Sequence, residues 1–186
     1  MFDGRSKEVL HFAPEPCLEP LLRDELGKGY HTADIARADV DVQLDVTRLA
    51  LPSQSLDVVI CSHVLEHVPD DRRAMSEIHR VLSDAGWALV IVPVRVKATI
   101  EDPSVDTPEQ RLRVFGQSDH VRLYGPDIVD RLTAVGLDVE THRPSDMFSD
   151  RDMTRMGLHP GSRPVFTVRR SGRLPTADRL WTATVL

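Results

Sequence analysis

The sequence predicts an α/β fold, a three-layer sandwich in which helices cover both faces of a mostly parallel sheet. Short apolar runs of strand length alternate along the chain with segments of helical periodicity, which is typical of parallel strands joined by crossover helices. The last two apolar runs are joined instead by the polar segment 143–164, which contains no convincing crossover helix. This connection permits an antiparallel final pair of strands.

Hydrophobic periodicity and turn residues predict the individual elements within a single domain, 1–186. The predicted strands cover residues 9–12, 30–35, 42–46, 56–61, 87–94, 137–142 and 165–170, and the predicted helices cover 18–26, 70–83 and 126–135. Residues 84–86 are predicted to form a turn. Residues 95–124 show no clear periodicity.

Composition limits the classes of protein to which the chain can belong. Apolar residues make up 41% and charged residues 28% of the 186, as in ordinary soluble domains, and no apolar run approaches the roughly 20 residues of a membrane span. The net charge of −6 disfavours nucleic acid as a partner. Cys17 and Cys61 lack Cys-x-x-Cys partners, so no thiolate zinc site is predicted. Residues 1–5 show no hydrophobic region of a signal peptide, so a cytoplasmic location with free thiols is expected.

Two acidic residues end neighbouring strands of the predicted sheet, where ligands of open α/β sheets bind. Asp34 can accept both hydrogens of a ribose diol, or it is a solvated loop residue near Arg37. Asp45 can accept the exocyclic amine of adenine while the N–H of Val46 meets a ring nitrogen. The alternative for Asp45 is a turn residue preceding Thr47.

A family resemblance begins at the fourth strand. Residues 56–68, LDVVICSHVLEHV, resemble the post-strand-4 motif of class I S-adenosylmethionine-dependent methyltransferases, and VLSDAGWALVIVPV resembles the segment that follows. The resemblance covers about residues 8–143. It implies a Rossmann-like seven-stranded sheet of order 3-2-1-4-5-7-6 with strand 7 antiparallel, S-adenosylmethionine as cofactor, and Ser62 and His63 as cofactor-binding residues.

The same segment raises a metal-binding alternative. His63 and His67 are four residues apart, a spacing that can bind zinc on a helix. The zinc-protease order is His-Glu-x-x-His, however, whereas this chain has His-Val-Leu-Glu-His. The pattern therefore predicts no metal, and His67 is expected to shape the pocket.

The loop after the first strand departs from the usual glycine-rich pattern. His11 stands where an acidic residue is expected, and Ala13, Glu15 and Cys17 stand where glycines would be. Two prolines make the turn HFAPEP stiff. The segment LHFAPE resembles a subgroup of methyltransferases related to type 11. We expect Glu15, or carbonyls around Ala13, to bind the ammonium of S-adenosylmethionine; the alternative is that Glu15 only stabilises a helix N-terminus.

A second set of functional groups lies near the end of segment 95–124. Residues 115–125, FGQSDHVRLYG, resemble a segment of the same subgroup, and in class I methyltransferases this region helps form the acceptor pocket. Residues 95–124 are therefore named the acceptor loop. The resemblance implies catalytic parts for three residues: His120 as general base, Arg122 holding an anionic group, and Tyr124 donating a hydrogen bond or facing the sulfonium. Alternatively, these residues attach an irregular loop to the sheet.

These patterns predict methyl transfer to a small-molecule acceptor by in-line attack on the sulfonium methyl. One alternative is a partner subunit that binds the cofactor weakly or not at all, because the glycine loop is missing and the first strand begins near the start of the chain. A second chain, identical or different, would then complete the pocket. Another alternative is a non-methylating enzyme on this fold; a nicotinamide oxidoreductase would require G-x-G-x-x-G after strand 1.

Overall fold

The computed structural model describes residues 6–159 and 163–171, so the other residues of the predicted domain 1–186 lie outside the described part. Seven strands form the main sheet: β1 (Val9–Phe12), β2 (Tyr30–Asp34), β3 (Val42–Gln43), β4 (Leu56–Ser62), β5 (Leu82–Ile91), β8 (Leu137–His142) and β9 (Val165–Arg170). Two short strands, β6 (Ile100–Glu101) and β7 (Arg122–Leu123), pair separately.

The described helices are α1 (Glu19–Leu26), α2 (Asp71–Val81), α3 (Pro108–Phe115), α4 (Ile128–Thr133), α5 (Pro144–Met147) and α6 (Asp150–Arg155). Two 3-10 turns occur at Gly27–Gly29 and Leu65–His67. Among the described residues, no helix is both long and apolar enough to cross a membrane.

The sheet has the predicted topology. The strand order is β3-β2-β1-β4-β5-β9-β8, which is 3-2-1-4-5-7-6 when only the strands of the main sheet are numbered. β1, β2, β3, β4 and β5 pair in parallel, whereas β9 runs antiparallel to both β5 and β8. The predicted α/β sandwich with an antiparallel last strand is therefore confirmed.

Helix α2 supplies much of the core on one face of the sheet. Its residues Ala74, Met75, Ile78 and Val81 recur at helical spacing and are fully buried. The helix begins after Asp70, whose carboxylate accepts a hydrogen bond from the N–H of Arg73 at 2.9 Å. This packing fixes the position of the turn that joins β4 to α2, which forms one wall of the site described below.

Several predicted elements differ from the structure. β3 has only two residues, because the turn that starts at Asp45 ends the strand early. Residues 84–86 belong to β5, where the pairing with β4 is irregular, rather than to a separate turn. The acceptor loop contains α3, which begins with a reciprocal cap between Thr107 and Gln110. Segment 143–164 contains α5 and α6.

Candidate active site

A cleft of about 560 Å³ opens at the carboxyl ends of β1, β2 and β4. This volume lies within the range typical of small-molecule sites. The cleft lining includes five of the residues predicted to bind the cofactor: Ala13, Asp34, Asp45, Val46 and His63. The structure thus brings together side chains from four separate segments of the chain, at the edge of the sheet where ligands of this fold class bind.

Ala13 adopts the backbone conformation that a glycine usually provides in this loop. Its φ angle is 47°, in the left-handed region, and its N–H donates to the carbonyl of Ala33 at 2.8 Å. A residue with a Cβ is strained there by about 1–2 kcal/mol. The guanidinium of Arg37 also donates to the carbonyl of Pro14 at 3.0 Å. The chain therefore turns sharply at the cleft without a glycine.

Asp34 and Asp45 each face the cleft while one carboxylate oxygen organises a local turn. Oδ1 of Asp34 accepts hydrogen bonds from the N–H groups of Ala36 and Arg37 at 2.7 and 2.9 Å. Oδ1 of Asp45 accepts from the N–H and the hydroxyl of Thr47 at 2.8 and 2.7 Å. Turn formation and ligand binding, posed above as alternatives, are therefore compatible: the turns hold both carboxylates at the cleft wall.

His11, Glu15 and Tyr30 form a hydrogen-bonded chain beside the cleft. Nδ1 of the buried His11 is 2.7 Å from the Tyr30 hydroxyl, and its Nε2 is 2.9 Å from Oε2 of Glu15. Ser62 lies close enough to Glu15 to lower the pKa of its carboxyl group. The loop after β1 therefore approaches the end of β4, a proximity that the sequence did not reveal.

The protonation states of these hydrogen-bonded side chains depend on their burial and on their neighbours. Burial lowers the pKa of His11, and nearby Glu15 only partly offsets this effect. Burial alone would raise the pKa of Glu15, but hydrogen bonds, with Ser62 first, and the proximity of His11 lower it overall. Burial also raises the pKa of Tyr30 to about 12. We therefore assign a neutral His11. Its Nε2–H donates a hydrogen bond to an ionised Glu15, and its Nδ1 accepts a hydrogen bond from the Tyr30 hydroxyl.

His63 marks the end of β4 at the cleft floor. Its φ angle is 54°, its N–H donates to the carbonyl of Ile91 at 2.9 Å, and about half of its side chain is exposed. Nδ1 of His63 lies 3.0 Å from Oε1 of Glu66, and this hydrogen bond raises the pKa of His63. Glu66 is buried, with 1% of its surface exposed. The sequence indicated Glu66 only as a member of the possible metal-binding pattern and not as a residue of the cofactor site.

His120 reaches this same edge from the acceptor loop. Its ring packs edge-on against His67 with 4.7 Å between ring centroids, and its Nδ1 is buried without a hydrogen-bond partner in the described structure. Burial, followed by the charge of His67, lowers the pKa of His120. The loop is fixed here because the N–H of Val121 donates to the carbonyl of Glu66 at 2.9 Å.

Arg122 and Tyr124 attach the acceptor loop to the body of the domain. The buried Arg122 guanidinium donates to the backbone carbonyls of Leu65, Val68 and Pro69 and to the carboxylate of Glu101. The fully buried Tyr124 hydroxyl donates to Asp71 at 2.7 Å. Neither side chain is in the lining of the cleft, so the geometry assigns them positioning contacts. A direct catalytic part for either residue stays a prediction.

Comparison with known proteins agrees with this geometry. Residues 26–90 match the family model described as a methyltransferase domain. A probable S-adenosylmethionine-dependent methyltransferase from Mycolicibacterium smegmatis is 33% identical over 125 residues, covering 63% of this chain and 45% of the relative. The chain thus spans less than half the length of this curated relative.

Solved structures share the fold at low sequence identity. The YcgJ protein from Bacillus subtilis aligns with a TM-score of 0.60 and 18% identity, covering 90% of this chain and 93% of its own. A 1,6-didemethyltoxoflavin N1-methyltransferase from Burkholderia thailandensis, solved with that compound and S-adenosylhomocysteine, aligns with a TM-score of 0.59 and 17% identity. The alignment with the Burkholderia protein covers 91% of this chain and 73% of that protein.

The sheet order and the cleft at its carboxyl edge define a protein of the class I methyltransferase fold. Residues 26–90, which span β2, β4, α2 and most of β5, match a methyltransferase domain, and the relative from Mycolicibacterium smegmatis is named a probable S-adenosylmethionine-dependent methyltransferase. The fold and these similarities agree with the resemblance to class I methyltransferases noted in the sequence.

Proposed function

We propose that this domain binds S-adenosylmethionine in the cleft and transfers its methyl group to a small-molecule acceptor. The observation that carries the proposal is the placement of Asp34 and Asp45 on one cleft wall, with the left-handed turn at Ala13 opening the space beside them. The bound cofactor supplies an activated methyl on a positively charged sulfur. The residues of the chain bind, orient and exclude water.

Each cleft residue has a part that its contacts support. Asp34 accepts the ribose hydroxyl hydrogens, and Asp45 accepts the adenine amine while the backbone N–H of Val46 meets the ring. Both carboxylates are held in place by their turns and keep acceptor capacity for a ligand. His63 lies at the floor between the cofactor and the acceptor, and Ser62 precedes it at the end of β4.

Glu15 supplies the negative charge that this loop otherwise lacks. His11 stands where an acidic residue is expected, but its Nε2 is hydrogen-bonded to Glu15 four residues later. The ionised Glu15, steadied by Ser62 and about one-third exposed, suits an ammonium group at the end of the cleft. Carbonyls around Ala13 add further acceptors. The HFAPEP turn thus replaces the glycine-rich motif by a different set of atoms.

His120 is the residue best placed to act on the acceptor. Its buried ring sits beside His67, which lines the cleft, and its lowered pKa keeps it neutral and able to accept a proton at neutral pH. Arg122 and Tyr124 act through position, because they fix the loop that carries His120. The net charge of −6 favours a small acceptor over a nucleic acid.

Calorimetric titration with S-adenosylmethionine and S-adenosylhomocysteine tests the cofactor site. Asp34→Asn removes a charge-assisted hydrogen bond worth roughly 1.5–3 kcal/mol, so Kd should rise about 10- to 150-fold. Asp24→Asn on the exposed face of α1 is the matched control and should leave Kd unchanged. If neither ligand binds the unaltered chain, the proposal fails and the partner-subunit alternative is favoured.

The Glu15 assignment has its own test. Glu15→Gln keeps the shape of the side chain but removes the negative charge, and we expect a weaker Kd for S-adenosylmethionine. Glu25→Gln, exposed on α1, is the control. An unchanged Kd for Glu15→Gln would show that Glu15 serves only the loop.

The acceptor class is tested with cofactor carrying an isotopic label on the methyl group. The domain is incubated with a cell extract separated into low-molecular-weight, protein and RNA fractions. We expect label in the low-molecular-weight fraction only when the domain is present, and less of it with His120→Gln. Label confined to the RNA or protein fraction would contradict a small-molecule acceptor.

A further inference from the structure

Three side chains of metal-binding types meet where the acceptor loop touches the cleft. Glu66 and His67 belong to the 3-10 turn that follows β4, and His120 belongs to the acceptor loop. Each offers one ligand atom, and the three atoms lie within 4.8 Å of one another. The spacing of His63 and His67 in the sequence did not indicate this set, because its third member comes from a distant segment.

Two atoms of this cluster are buried and have no hydrogen-bond partner in the described part of the chain: Oε2 of Glu66 and Nδ1 of His120. The side chains that carry them are 1% and 3% exposed. A buried polar atom without a partner is strongly unfavourable, and folded proteins rarely leave two of them side by side. The arrangement therefore indicates that a bound species satisfies these atoms.

Two other polar atoms of the cluster contact neighbouring side chains. Nδ1 of His67 lies 3.3 Å from Oδ2 of Asp119, and Oε1 of Glu66 lies 3.0 Å from Nδ1 of His63. Metal-binding histidines commonly show such a contact between the second ring nitrogen and a carboxylate, which orients the ring and fixes its tautomer. These contacts occupy Nδ1 of His67 and Oε1 of Glu66, which leaves Nε2 of His67 and Oε2 of Glu66 as the atoms that can serve as ligands.

We propose that Glu66, His67 and His120 form a binding site for a divalent transition-metal ion, with Zn²⁺ as the best fit. Two imidazole nitrogens and one carboxylate oxygen suit Zn²⁺ and related borderline ions. Mg²⁺ and Ca²⁺ require oxygen ligands in larger number. Three protein ligands leave a coordination position open, as in catalytic rather than structural zinc sites.

The open position suggests what the ion does. His67 and Asp119 both line the cleft, so the site lies at the cleft wall next to the acceptor loop. A small molecule with a hydroxyl or thiol group could coordinate the ion there, and the ion would favour loss of its proton to solvent. The acceptor atom then bonds to the methyl carbon as the carbon–sulfur bond breaks, and that electron pair returns to sulfur. This role rests on the proposed methyl transfer and replaces the part of proton acceptor given there to His120, whereas metal binding itself does not rest on that function.

Metal binding is tested on the whole chain after treatment with a chelator. Zn²⁺ is titrated by calorimetry, and Co²⁺ is added separately because its visible absorption reports nitrogen and oxygen ligation in a low-symmetry site. The variants are Glu66→Gln, which keeps the shape of the side chain, and His67→Ala, whose side chain is one-third exposed. His31→Gln is the control, since His31 is half-exposed and pairs with Glu8 rather than with this cluster.

We expect one Zn²⁺ per chain, a visible Co²⁺ spectrum, and a loss of affinity of about tenfold or more in both cluster variants. His31→Gln should bind Zn²⁺ like the unaltered chain. Absence of stoichiometric Zn²⁺ binding, or binding that persists in both cluster variants, would overturn the site and leave water as the species that satisfies the two buried atoms. Titration of the metal-free chain with S-adenosylmethionine separates the two proposals, because either ligand can bind when the other fails.

Discussion

Replacing Arg122 by Met should strongly destabilise the domain. The guanidinium is 3% exposed and donates to the carbonyls of Leu65 and Pro69 at 2.8 Å each, and also to the carbonyl of Val68. It also contacts the carboxylate of Glu101 at 3.1 Å. Methionine fills a similar apolar volume but donates no hydrogen bond, so these oxygens lose their partner at once.

The magnitude follows from the burial of the acceptors. Hydrogen bonds from a charged group contribute roughly 1.5–3 kcal/mol each, so three carbonyl contacts set an upper limit of about 5–9 kcal/mol. Water can replace the contact at the exposed Pro69 but not at the buried Leu65. We therefore expect a loss of about 3–5 kcal/mol, the range seen when one partner of a buried ionic contact is removed.

Urea unfolding followed by circular dichroism measures this loss. For a domain of this size, each kcal/mol lowers Tm by roughly 2–4 °C, so Tm should fall by about 6–20 °C. Arg48→Met is the control, because Arg48 is exposed, and its effect should stay within about 0.5 kcal/mol. A change below about 1 kcal/mol in Arg122→Met would refute the positioning role and return Arg122 to the acceptor site.

Three further outcomes are expected. Tyr124→Phe should lower the free energy of unfolding by about 1–3 kcal/mol in urea titration, because Asp71 loses a buried hydrogen bond. Stability should fall as the pH drops below about 6.5, since the unfolded chain takes up a proton that the lowered pKa of buried His11 resists in the folded state; His11→Gln should flatten part of this slope. A thiol reagent should modify only Cys17 in the folded domain and also Cys61 after denaturation, because Cys61 is buried and burial raises its pKa.

β1 and β4 could be predicted because they are buried on both faces. β1 has the predicted bounds, and the structure extends the predicted fourth strand only by Ser62. Continuous apolar runs bounded by turn residues leave little choice of structure there. β8 and β9 also have the predicted bounds, although β8 lies at the sheet edge and is only partly buried. β3 was predicted too long, since its residues are exposed and a local turn competes with sheet pairing.

Helix α3 was missed for a related reason. It buries only Phe115, so it shows little hydrophobic periodicity, and its visible signal is the cap formed by Thr107 and Gln110. That signal was present in the sequence and could have been used. Helices that depend on caps more than on an apolar face are poorly found by periodicity alone.

The candidate site was partly visible in the sequence. Ligand positions that follow a strand, such as Asp34 and Asp45, could be predicted, because parallel strands bring their carboxyl ends to one edge. Contacts between distant segments could not be predicted. The burial of Arg122 against the turn after β4, and the meeting of His120 with Glu66, depend on how the acceptor loop folds back onto the sheet.

The left-handed turn at Ala13 has a consequence for the thermodynamics of ligand binding. The loop is already ordered by the Ala13–Ala33 hydrogen bond and by the contact from Arg37 to Pro14. Its conformational entropy is lost once, during folding, and is not lost again at each binding event. A glycine-rich loop that closes on its ligand loses that entropy on association. Relative to such a loop, we expect association here to be faster and its entropy change less unfavourable.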